Sequence, residues 1–430
     1  MEYLEINGSA KLGGEIDVHG AKNSVLPILA GCVLINGESI IHNCPELSDV
    51  GVTIDILRHL GAKVKREGKT LIVNTGGINK SNIPEEMMQE LRSSIIFLGS
   101  LVSRTKSACV YLPGGCDIGL RPIDLHLKAL ENLGYDLCFD GNNICCENNR
   151  AKSEKLVLSF PSVGATENAI LASVFLKGKT TIINAAREPE IADLAAFLNS
   201  AGAKISGAGT TVIEIIGVDT LGNSEHTVIP DRILASTYMS AAAITKSELL
   251  IRNVNHIHLA PALPPFYEMG CRLYALDNAL IIKPPETLKS VKKTETGAFP
   301  GFPSDSQAFL TAALSVARGC SIIRENIFEN RFRHVAQLMR FGADITVSSR
   351  VAVVHGVKSL YAAEASCTDL RGGAALVVEA LAAQGVSKIK EIQHIDRGYE
   401  SIEKSLGSIG AIIKRKNDEE GSKKQIQKTS

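Results

Sequence analysis

One glycine-rich stretch, Leu112–His126, holds the residues whose types and spacing are best suited to chemistry. The glycines around Cys116 allow backbone conformations that are closed to other residues, so a loop here can move. Arg121 and Pro122 follow, and proline suits the first turn of a helix because its missing N–H is not needed there. A thiol near a guanidinium and the N–H groups of a helix start is biased toward the thiolate and can exchange protons with a bound anion. Taken alone, a Gly-Gly-Cys motif favours a small surface residue in a turn over a functional thiol.

Lys22 lies at a junction between a strand-like run and an apolar helix, beside Asn23. A lysine at such a helix start can bind phosphate together with the N–H groups of the first turn. Five further junctions carry Arg, Asp or Ser, namely Glu90–Ser94, Pro161–Thr166, Pro230–Arg232, Pro303–Ser306 and Thr368–Gly373. Six such helix starts would bind an anion if the fold brought them together. Their Asp and Ser members are also compatible with ordinary helix N-caps.

A second group of candidates lies between a strand and the helix that follows it. These segments carry arginines and are Asn184–Glu190, Glu329–His334 and His394–Glu400. An arginine there presents a planar fork that matches carboxylate or phosphate. Each could instead form a structural ion pair, so the assignment depends on whether the segments converge.

Composition limits the classes of protein to which the chain can belong. The sequence has 430 residues, 45% of them hydrophobic and 21% charged. These values are typical of a soluble globular protein of roughly two to three domains. Lysine plus arginine and aspartate plus glutamate number 46 each, so no excess charge points to nucleic acid or a membrane surface. The N-terminus lacks a secretory signal and no apolar run is long enough to cross a bilayer, so we expect a cytoplasmic protein.

Familiar metal and nucleotide motifs are missing from the sequence. The ten cysteines have no paired metal-ligand spacing, which favours reduced thiols in a reducing compartment and no metal site. Gly178–Thr180 is not a phosphate-binding P-loop, because Ser173 stands where its first glycine belongs. We therefore expect neither a metal nor a cofactor.

The strongest sign of internal organisation is a repeat of about seventy residues. A helix-like apolar stretch ends in glycine and passes directly into a strand-like run at Gly61, Gly134, Gly202, Gly270, Gly342 and Gly410. Each glycine is predicted to adopt the left-handed conformation that ends a helix. A strand, a turn and a strand follow it, and a second, more apolar helix opens most units. We predict six copies of a helix-strand-helix-strand-strand unit, three in each of two lobes.

Together these segments resemble the enolpyruvyl transferases, and in particular the branch that acts on a UDP-sugar. The likeness extends from Met1 to about Lys416, through Gly20–Asn23, Leu112–Leu125, Ser162–Thr166, Asn184–Glu190, Phe328–Phe332, Thr368–Arg371 and His394–Glu400. It implies a two-lobed, inside-out α/β barrel, with residues 22–229 as the N-terminal lobe, residues 1–21 plus 230–416 as the C-terminal lobe and a disordered tail at 417–430. It also implies transfer of enolpyruvate from phosphoenolpyruvate to the 3′-hydroxyl of UDP-N-acetylglucosamine, the first committed step of peptidoglycan synthesis.

The resemblance implies roles for individual residues. Cys116 matches the family's proton donor to the methylene carbon of phosphoenolpyruvate, and Asp305 matches the candidate base near the sugar hydroxyl. The residues that match those holding the phosphate and carboxylate of phosphoenolpyruvate are Lys22, Arg121 and Arg397, with Asn23 beside them. Contacts to the nucleotide sugar are implied for Arg92, Arg121, Pro122, Ile123, Asp124, Leu125, Ser162, Val163, Gly164, Asp305 and Ile327. Asp369 and Arg371 are further candidates.

Two alternatives stay open at this stage. An enolpyruvyl transferase that acts on 3-phosphoshikimate has similar lobes and the same donor, although the cysteine loop Pro113–Pro122 belongs to the UDP-sugar branch. A catalytically silent relative that binds or regulates would keep the fold without turnover. Phe160 stands where some family members carry a lysine near the uridine diphosphate, so no contact is assigned to it. The sequence also leaves the oligomeric state open.

Overall fold

The computed structural model describes residues 2–8, 10–114 and 123–417. These residues divide into two units. The N-terminal unit consists of residues 20–114 and 123–229, and the C-terminal unit consists of residues 2–8, 10–19 and 230–417. The predictions for Cys116, Arg121 and Pro122 fall outside the described residues, as does the predicted tail beyond Asn417.

Three four-stranded sheets form the outer layer of elements in the N-terminal unit, and in each sheet one edge strand is parallel to its neighbour while the other pairs are antiparallel. In order across each sheet, the strands are Ser224–Thr227, Glu38–His42, Thr70–Asn74 and Lys63–Glu67; Asn82–Ile83, Ser107–Tyr111, Asn143–Glu147 and Asp136–Asp140; and Lys155–Val157, Lys179–Ile183, Val212–Ile216 and Lys204–Ser206. Because Ser224–Thr227 pairs with a strand near the start of the unit, the end of this segment of chain returns to its beginning.

The helices of the N-terminal unit are Lys22–Cys32, Ser48–Leu60, Glu85–Glu90, Phe97–Thr105, Asp124–Asn132, Val163–Ser173 and Pro189–Ser200, with a 3₁₀ helix at Arg92–Ile96. Three of them, Lys22–Cys32, Phe97–Thr105 and Val163–Ser173, are buried along most of their length. Small and apolar residues dominate these helices, and a helix that is apolar on all sides is stable only inside a core. They therefore form the centre of this unit's hydrophobic core.

The C-terminal unit repeats this arrangement with three further four-stranded sheets. Their strands, in order across each sheet, are Arg272–Leu276, Ala279–Lys283, Leu249–Arg252 and Glu15–Asp17; Thr294–Glu295, Cys320–Arg324, Val351–His355 and Asp344–Ser348; and Glu364–Ser366, Val386–Lys390, Glu2–Asn7 and Ile412–Asn417. A small two-stranded sheet pairs Leu360–Tyr361 with Ala383–Gln384. The last four-stranded sheet joins the two ends of the described chain, because Glu2–Asn7 pairs with Ile412–Asn417. This strand includes Asn417, the first residue of the predicted disordered tail, so the tail prediction is wrong at that residue.

The helices of the C-terminal unit are Arg232–Ile244, His256–Leu259, Leu263–Glu268, Gln307–Leu314, Val335–Leu338, Leu370–Ala382, Gln393–Asp396 and Ile402–Ser408, with 3₁₀ helices at Ala260–Ala262, Ser304–Ser306 and Met339–Phe341. Arg232–Ile244, Gln307–Leu314 and Leu370–Ala382 pack against one another at the centre of a second hydrophobic core. Within the described part of the chain, no helix combines the length and the apolar composition that a membrane span requires.

The predicted succession of helix, strand, helix, strand and strand is present in both units. All six helix-ending glycines have positive φ angles, from 83° at Gly134 to 108° at Gly61. The sequence pattern did not reveal the parallel edge strand of each sheet. These strands are only two to four residues long, too short to show a period of two.

The expectation of reduced thiols is wrong for one pair of cysteines. Cys109 and Cys145 lie opposite each other on adjacent antiparallel strands and form a disulfide. They are 36 residues apart in sequence, so only the register of the two strands brings the sulfur atoms together. The other cysteines among the described residues, which are outside this disulfide, are Cys32, Cys44, Cys138, Cys146, Cys271, Cys320 and Cys367.

Candidate active site

Lys22 is the first residue of the helix Lys22–Cys32, and its side chain is only 9% exposed. Its ammonium nitrogen lies 2.6 Å from a carboxylate oxygen of Asp49, which is in the first turn of the helix Ser48–Leu60. Each charge compensates the other where water is largely excluded. An anion that bound Lys22 would therefore share the ammonium group with Asp49.

A second contact fixes the same helix start. The hydroxyl of Ser24 donates to the buried carboxylate of Asp193, whose other oxygen lies 2.8 Å from Nε2 of His226. The backbone N–H of Ile229 also donates to Asp193, at 3.3 Å. Asn23 is half-buried between Lys22 and Ser24, so this anchoring limits the positions open to both predicted phosphate-binding residues.

His126 connects three predicted nucleotide-sugar segments of the N-terminal unit. Its ring occupies the space that a side chain at position 164 would fill, since a Cβ on Gly164 would lie 2.8 Å from the ring carbon Cε1. The pKa of His126 is lowered to about 4, chiefly because burial removes hydration and also because Arg92 is nearby, while Asp124 opposes the shift. A neutral imidazole therefore lies among Arg92, Asp124 and Gly164 at neutral pH.

Asn168 holds this neutral ring in place. Its side-chain amide donates to Nδ1 of His126 at 3.1 Å and to the carbonyl of Ile95 at 3.0 Å. Its carbonyl oxygen accepts from the backbone N–H of Gly99 at 2.7 Å. Asn168 is fully buried, and its hydrogen bonds join the helix Val163–Ser173 to the segment that begins at Arg92.

The remaining N-terminal candidates lie at helix starts. Ser162 is the N-cap of Val163–Ser173, because its hydroxyl oxygen accepts from the N–H of Ala165 at 3.4 Å. The N-cap prediction is thus confirmed for Ser162. Ile123 precedes the helix Asp124–Asn132, in which Asp124 is exposed and Leu125 half-buried. Val163 and Gly164 are also half-buried, so both residues have surface to offer a ligand.

In the C-terminal unit, Asp305 lies between two buried arginines. One carboxylate oxygen is 2.6 Å from Nη2 of Arg331, and the other is 3.2 Å from Nη2 of Arg371. The side chain of Asp305 is 27% exposed, whereas both arginine side chains are almost completely buried. Burial alone would lower the pKa of Arg371, but the carboxylate of Asp305 and other nearby groups outweigh it and the pKa is raised. Asp305 is thus an oriented carboxylate with an accessible side.

Asp369 contacts the same arginine cluster but has a different local role. It is the N-cap of the helix Leu370–Ala382 and accepts from the backbone N–H groups of Arg371 and Gly372, each at 3.1 Å. Burial raises its pKa, but Arg331, His334 and the N–H of Gly372 outweigh this effect, so the pKa of Asp369 lies below its ordinary value. The N-cap prediction is confirmed for Asp369, whereas Asp305 is engaged by side chains.

Arg397 and Ile327 complete the C-terminal set. Arg397 follows the short helix Gln393–Asp396 and is half-buried. Two residues further on, the buried hydroxyl of Tyr399 lies 3.4 Å from Nη1 of Arg371 and 2.9 Å from the hydroxyl of Thr237. Ile327 lies beyond the strand Cys320–Arg324 and is half-buried.

The chain is similar in sequence to known proteins over nearly its whole length. The family model for EPSP synthase (3-phosphoshikimate 1-carboxyvinyltransferase) matches residues 6–406. The chain belongs to the EPSP synthase family. A family member from Caldanaerobacter subterraneus subsp. tengcongensis, named UDP-N-acetylglucosamine 1-carboxyvinyltransferase 2, is 48% identical and covers 96% of this chain and 100% of its own length. A UDP-N-acetylglucosamine 1-carboxyvinyltransferase from Geotalea uraniireducens is 44% identical, with coverage of 96% and 99%.

Solved structures of the EPSP synthase family share the fold. The enolpyruvyl transferase NikO from Streptomyces tendae has a TM-score of 0.86 at 25% identity and covers 96% of this chain and 98% of its own. EPSP synthase from Acinetobacter baumannii has a TM-score of 0.74 at 16% identity, with coverage of 97% and 100%, a likeness of fold alone. The predicted resemblance to enolpyruvyl transferases and the predicted mixed α/β fold are confirmed.

Sequence reasoning missed several residues that organise this EPSP-synthase-family site. They are Asp49, Asp193, Asn168, His126, Tyr399 and Glu325. Some of them contact a predicted residue that is distant in sequence, such as Tyr399, which is 28 residues from Arg371. His126 and Tyr399 could have been found, because they lie inside the segments Leu112–His126 and His394–Glu400 that the sequence singled out.

Proposed function

We propose that this protein transfers enolpyruvate from phosphoenolpyruvate to the 3′-hydroxyl of UDP-N-acetylglucosamine and releases phosphate. The observation that carries the proposal is the name shared by relatives that are 43–48% identical over nearly the whole chain. That name favours the UDP-sugar acceptor over 3-phosphoshikimate. The reaction would belong to peptidoglycan synthesis and would take place in the cytoplasm.

The proposed reaction is an addition followed by an elimination. In the addition, the 3′-oxygen bonds to C2 of phosphoenolpyruvate, the hydroxyl proton passes to solvent, and Cys116 gives a proton to C3. In the elimination, C3 returns a proton to the Cys116 thiolate and the C2–O bond to phosphate breaks, which restores the double bond; the phosphate released takes up a proton from solvent. Atoms and charge balance between the two substrates and two products, so the chemistry needs no cofactor. Positioned proton transfer of this kind contributes about 10² to 10⁴ in rate.

The anionic donor requires cationic and N–H groups, and we propose Lys22, Asn23, Arg121 and Arg397 for that role. The buried position of Lys22 supports the proposal, because an ion pair with a phosphate is stronger where water is excluded. Asp49 keeps the ammonium oriented before the ligand binds. The ligand then meets a cation that is already placed, which reduces the entropy lost on binding.

For the acceptor, we propose contacts from Arg92, Arg121, Pro122, Ile123, Asp124, Leu125, Ser162, Val163, Gly164, Asp305 and Ile327. Asp305 would accept a hydrogen bond from the 3′-hydroxyl. The two arginines that contact Asp305 support this role, since they fix the direction of its accessible side. They also stabilise the negative charge of Asp305, and a stabilised carboxylate is a weaker base. The main contribution of Asp305 would therefore be to orient the hydroxyl. Asp369 and Arg371 would support Asp305 rather than meet the substrate.

The test is release of phosphate from phosphoenolpyruvate by the purified full-length protein. We expect release on addition of UDP-N-acetylglucosamine and none on addition of shikimate 3-phosphate. Release with shikimate 3-phosphate alone would favour the alternative acceptor. Tight binding of UDP-N-acetylglucosamine without any release, measured by calorimetry, would favour a catalytically silent relative.

A further inference from the structure

A buried carboxylate, Glu325, lies directly after the strand Cys320–Arg324 and has no exposed surface. One of its oxygens accepts hydrogen bonds from the hydroxyl of Thr296 at 2.9 Å and from the backbone N–H groups of Ile327 and Phe328 at 2.8 and 3.1 Å. The other oxygen accepts from the hydroxyl of Ser304 at 2.9 Å. All four of these donors are neutral groups.

Two of these donors lie at predicted nucleotide-sugar contacts: Ser304 directly precedes Asp305, and Ile327 is itself a predicted contact. Thr296 lies earlier in the chain than Ser304 and is also held by Asn326, which donates through its backbone N–H to the hydroxyl of Thr296 at 2.8 Å and through its side chain to the carbonyl of Thr296 at 3.0 Å. Glu325 is therefore at the centre of the hydrogen bonds that hold these residues together.

Stability alone does not account for a carboxylate side chain at this place. Removing a carboxylate from water is costly, and neutral donors offset that cost without the gain of a close ion pair. An apolar side chain could fill the same volume, but it could not accept from four donors at fixed positions. Glu325 instead fixes the relative positions of its four donors, because charge-assisted hydrogen bonds are short and directional.

We propose that Glu325 is a positioning residue for the nucleotide sugar. Through its hydrogen bond with Ser304 it fixes the position of the adjacent Asp305, and through the backbone N–H of Ile327 it fixes that residue. The two predicted contacts are therefore held in place relative to each other before the ligand binds. Its carboxylate does not touch the substrate. This inference rests on the proposed function, because it assumes that Asp305 and Ile327 contact UDP-N-acetylglucosamine.

The main test variant is Glu325→Gln, which keeps the shape and one acceptor oxygen. When its amide nitrogen replaces the oxygen that accepts from Ser304, the hydrogen bond can form only in reverse, with the Ser304 hydroxyl rotated to accept from the amide, and it is no longer charge-assisted. We expect KM for UDP-N-acetylglucosamine to rise about tenfold or more, the loss typical of one charge-assisted hydrogen bond. KM for phosphoenolpyruvate should stay within about threefold of wild type, because a split between the two substrates is not expected from general destabilisation. We expect kcat to fall as well, since it depends on the placement of Asp305.

Two further variants make the result decisive. Ser304→Ala removes only the donor to the second oxygen, so it should raise the same KM even if Glu325→Gln fails to fold. Glu379→Gln is the matched control: Glu379 is a fully buried carboxyl in the helix Leu370–Ala382, and burial raises its pKa well above the ordinary value, so an amide resembles its neutral form. We expect Glu379→Gln to leave both KM values unchanged.

Wild-type turnover and calorimetric binding of UDP-N-acetylglucosamine separate the two possible failures. If the wild type neither binds this nucleotide sugar nor releases phosphate with it, the proposed function fails. If the wild type is active and Ser304→Ala and any folded Glu325→Gln protein keep the wild-type KM and dissociation constant, the positioning role is overturned. A lower melting temperature with unchanged KM would assign Glu325 to stability only.

Discussion

The ammonium nitrogen of Lys22 and a carboxylate oxygen of Asp49 are 2.6 Å apart, and both side chains are almost completely buried. The pair joins the starts of two helices, Lys22–Cys32 and Ser48–Leu60. Lys22 is therefore held by the fold before any phosphate binds, and its binding role and its structural role are coupled.

This coupling predicts a non-additive double-mutant cycle. Lys22→Met should raise KM for phosphoenolpyruvate and should also lower the free energy of unfolding by about 3 to 5 kcal/mol, because Asp49 loses its buried counter-charge. Adding Asp49→Asn should recover much of that stability but not the KM. Urea unfolding and phosphate-release kinetics measure the two effects, with the surface ion-pair variant Lys65→Met as the control. Additive losses of stability would show that the ion pair has little structural role.

Asp305 and Asp369 should respond to substitution in different ways. Asp305 is partly exposed and engaged by side chains, so Asp305→Asn should lower kcat by about 10² or more. It should also lower stability, because two buried arginines lose a counter-charge. Asp369 caps a helix, so Asp369→Ala should chiefly lower stability, by about 1 kcal/mol or more. Steady-state kinetics and urea unfolding on the same preparations would separate the two. Equal effects of both variants on kcat would contradict this division of roles.

The buried His334 predicts that stability depends on pH in the acid range. Burial lowers its pKa from 6.5 to about 4, with Asp369 opposing the shift and Arg331 adding to it. Between these two values the unfolded chain binds the proton and the folded chain does not, so stability is lost as pH falls from about 6.5 toward 4. The loss from this residue is roughly 1.4 kcal/mol for each pH unit in that window. Urea unfolding of the wild type and of His334→Leu at about pH 7, 6 and 5 measures this effect. The free energy of unfolding should depend less steeply on pH in the variant. Parallel pH dependences would show that His334 does not contribute.

Cys116 lies outside the described residues, and its role is predicted from the family resemblance. Cys116→Ser should nearly abolish turnover near neutral pH while leaving binding of UDP-N-acetylglucosamine largely intact, because serine is a much weaker acid than cysteine. Retention of full activity would show that another group protonates C3.

The same cysteine should react with fosfomycin, an epoxide phosphonate that resembles phosphoenolpyruvate. The thiolate sulfur would bond to an epoxide carbon as the carbon–oxygen bond breaks, and the oxygen would take up a proton. Peptide mass spectrometry should find the adduct on Cys116 and not on the exposed thiols of Cys138 and Cys320, which serve as internal controls. Labelling of all three would indicate simple exposure instead of a bound phosphonate.

Local sequence determined the repeated units of this fold. A glycine such as Gly61 ends its helix because only a residue without a β-carbon adopts φ of 108° without strain. This preference depends on the residue type alone. Likewise, the caps Ser162 and Asp369 could be anticipated, because each bonds N–H groups two or three residues further along the chain. The apolar helices between them could be predicted for the same reason, since their period lies in neighbouring residues.

Tertiary structure alone decided the contacts on which the site depends. Asp305 is 66 residues from Arg371, Glu325 is 21 residues from Ser304, and Ser24 is 169 residues from Asp193. No local preference distinguishes these partners from the many other charged and hydroxyl side chains in the sequence. Their selection follows from strand register and helix packing, which are global properties of the chain. The residue types thus indicated which chemistry was available. The packing of segments that are distant in sequence decided which side chains perform it.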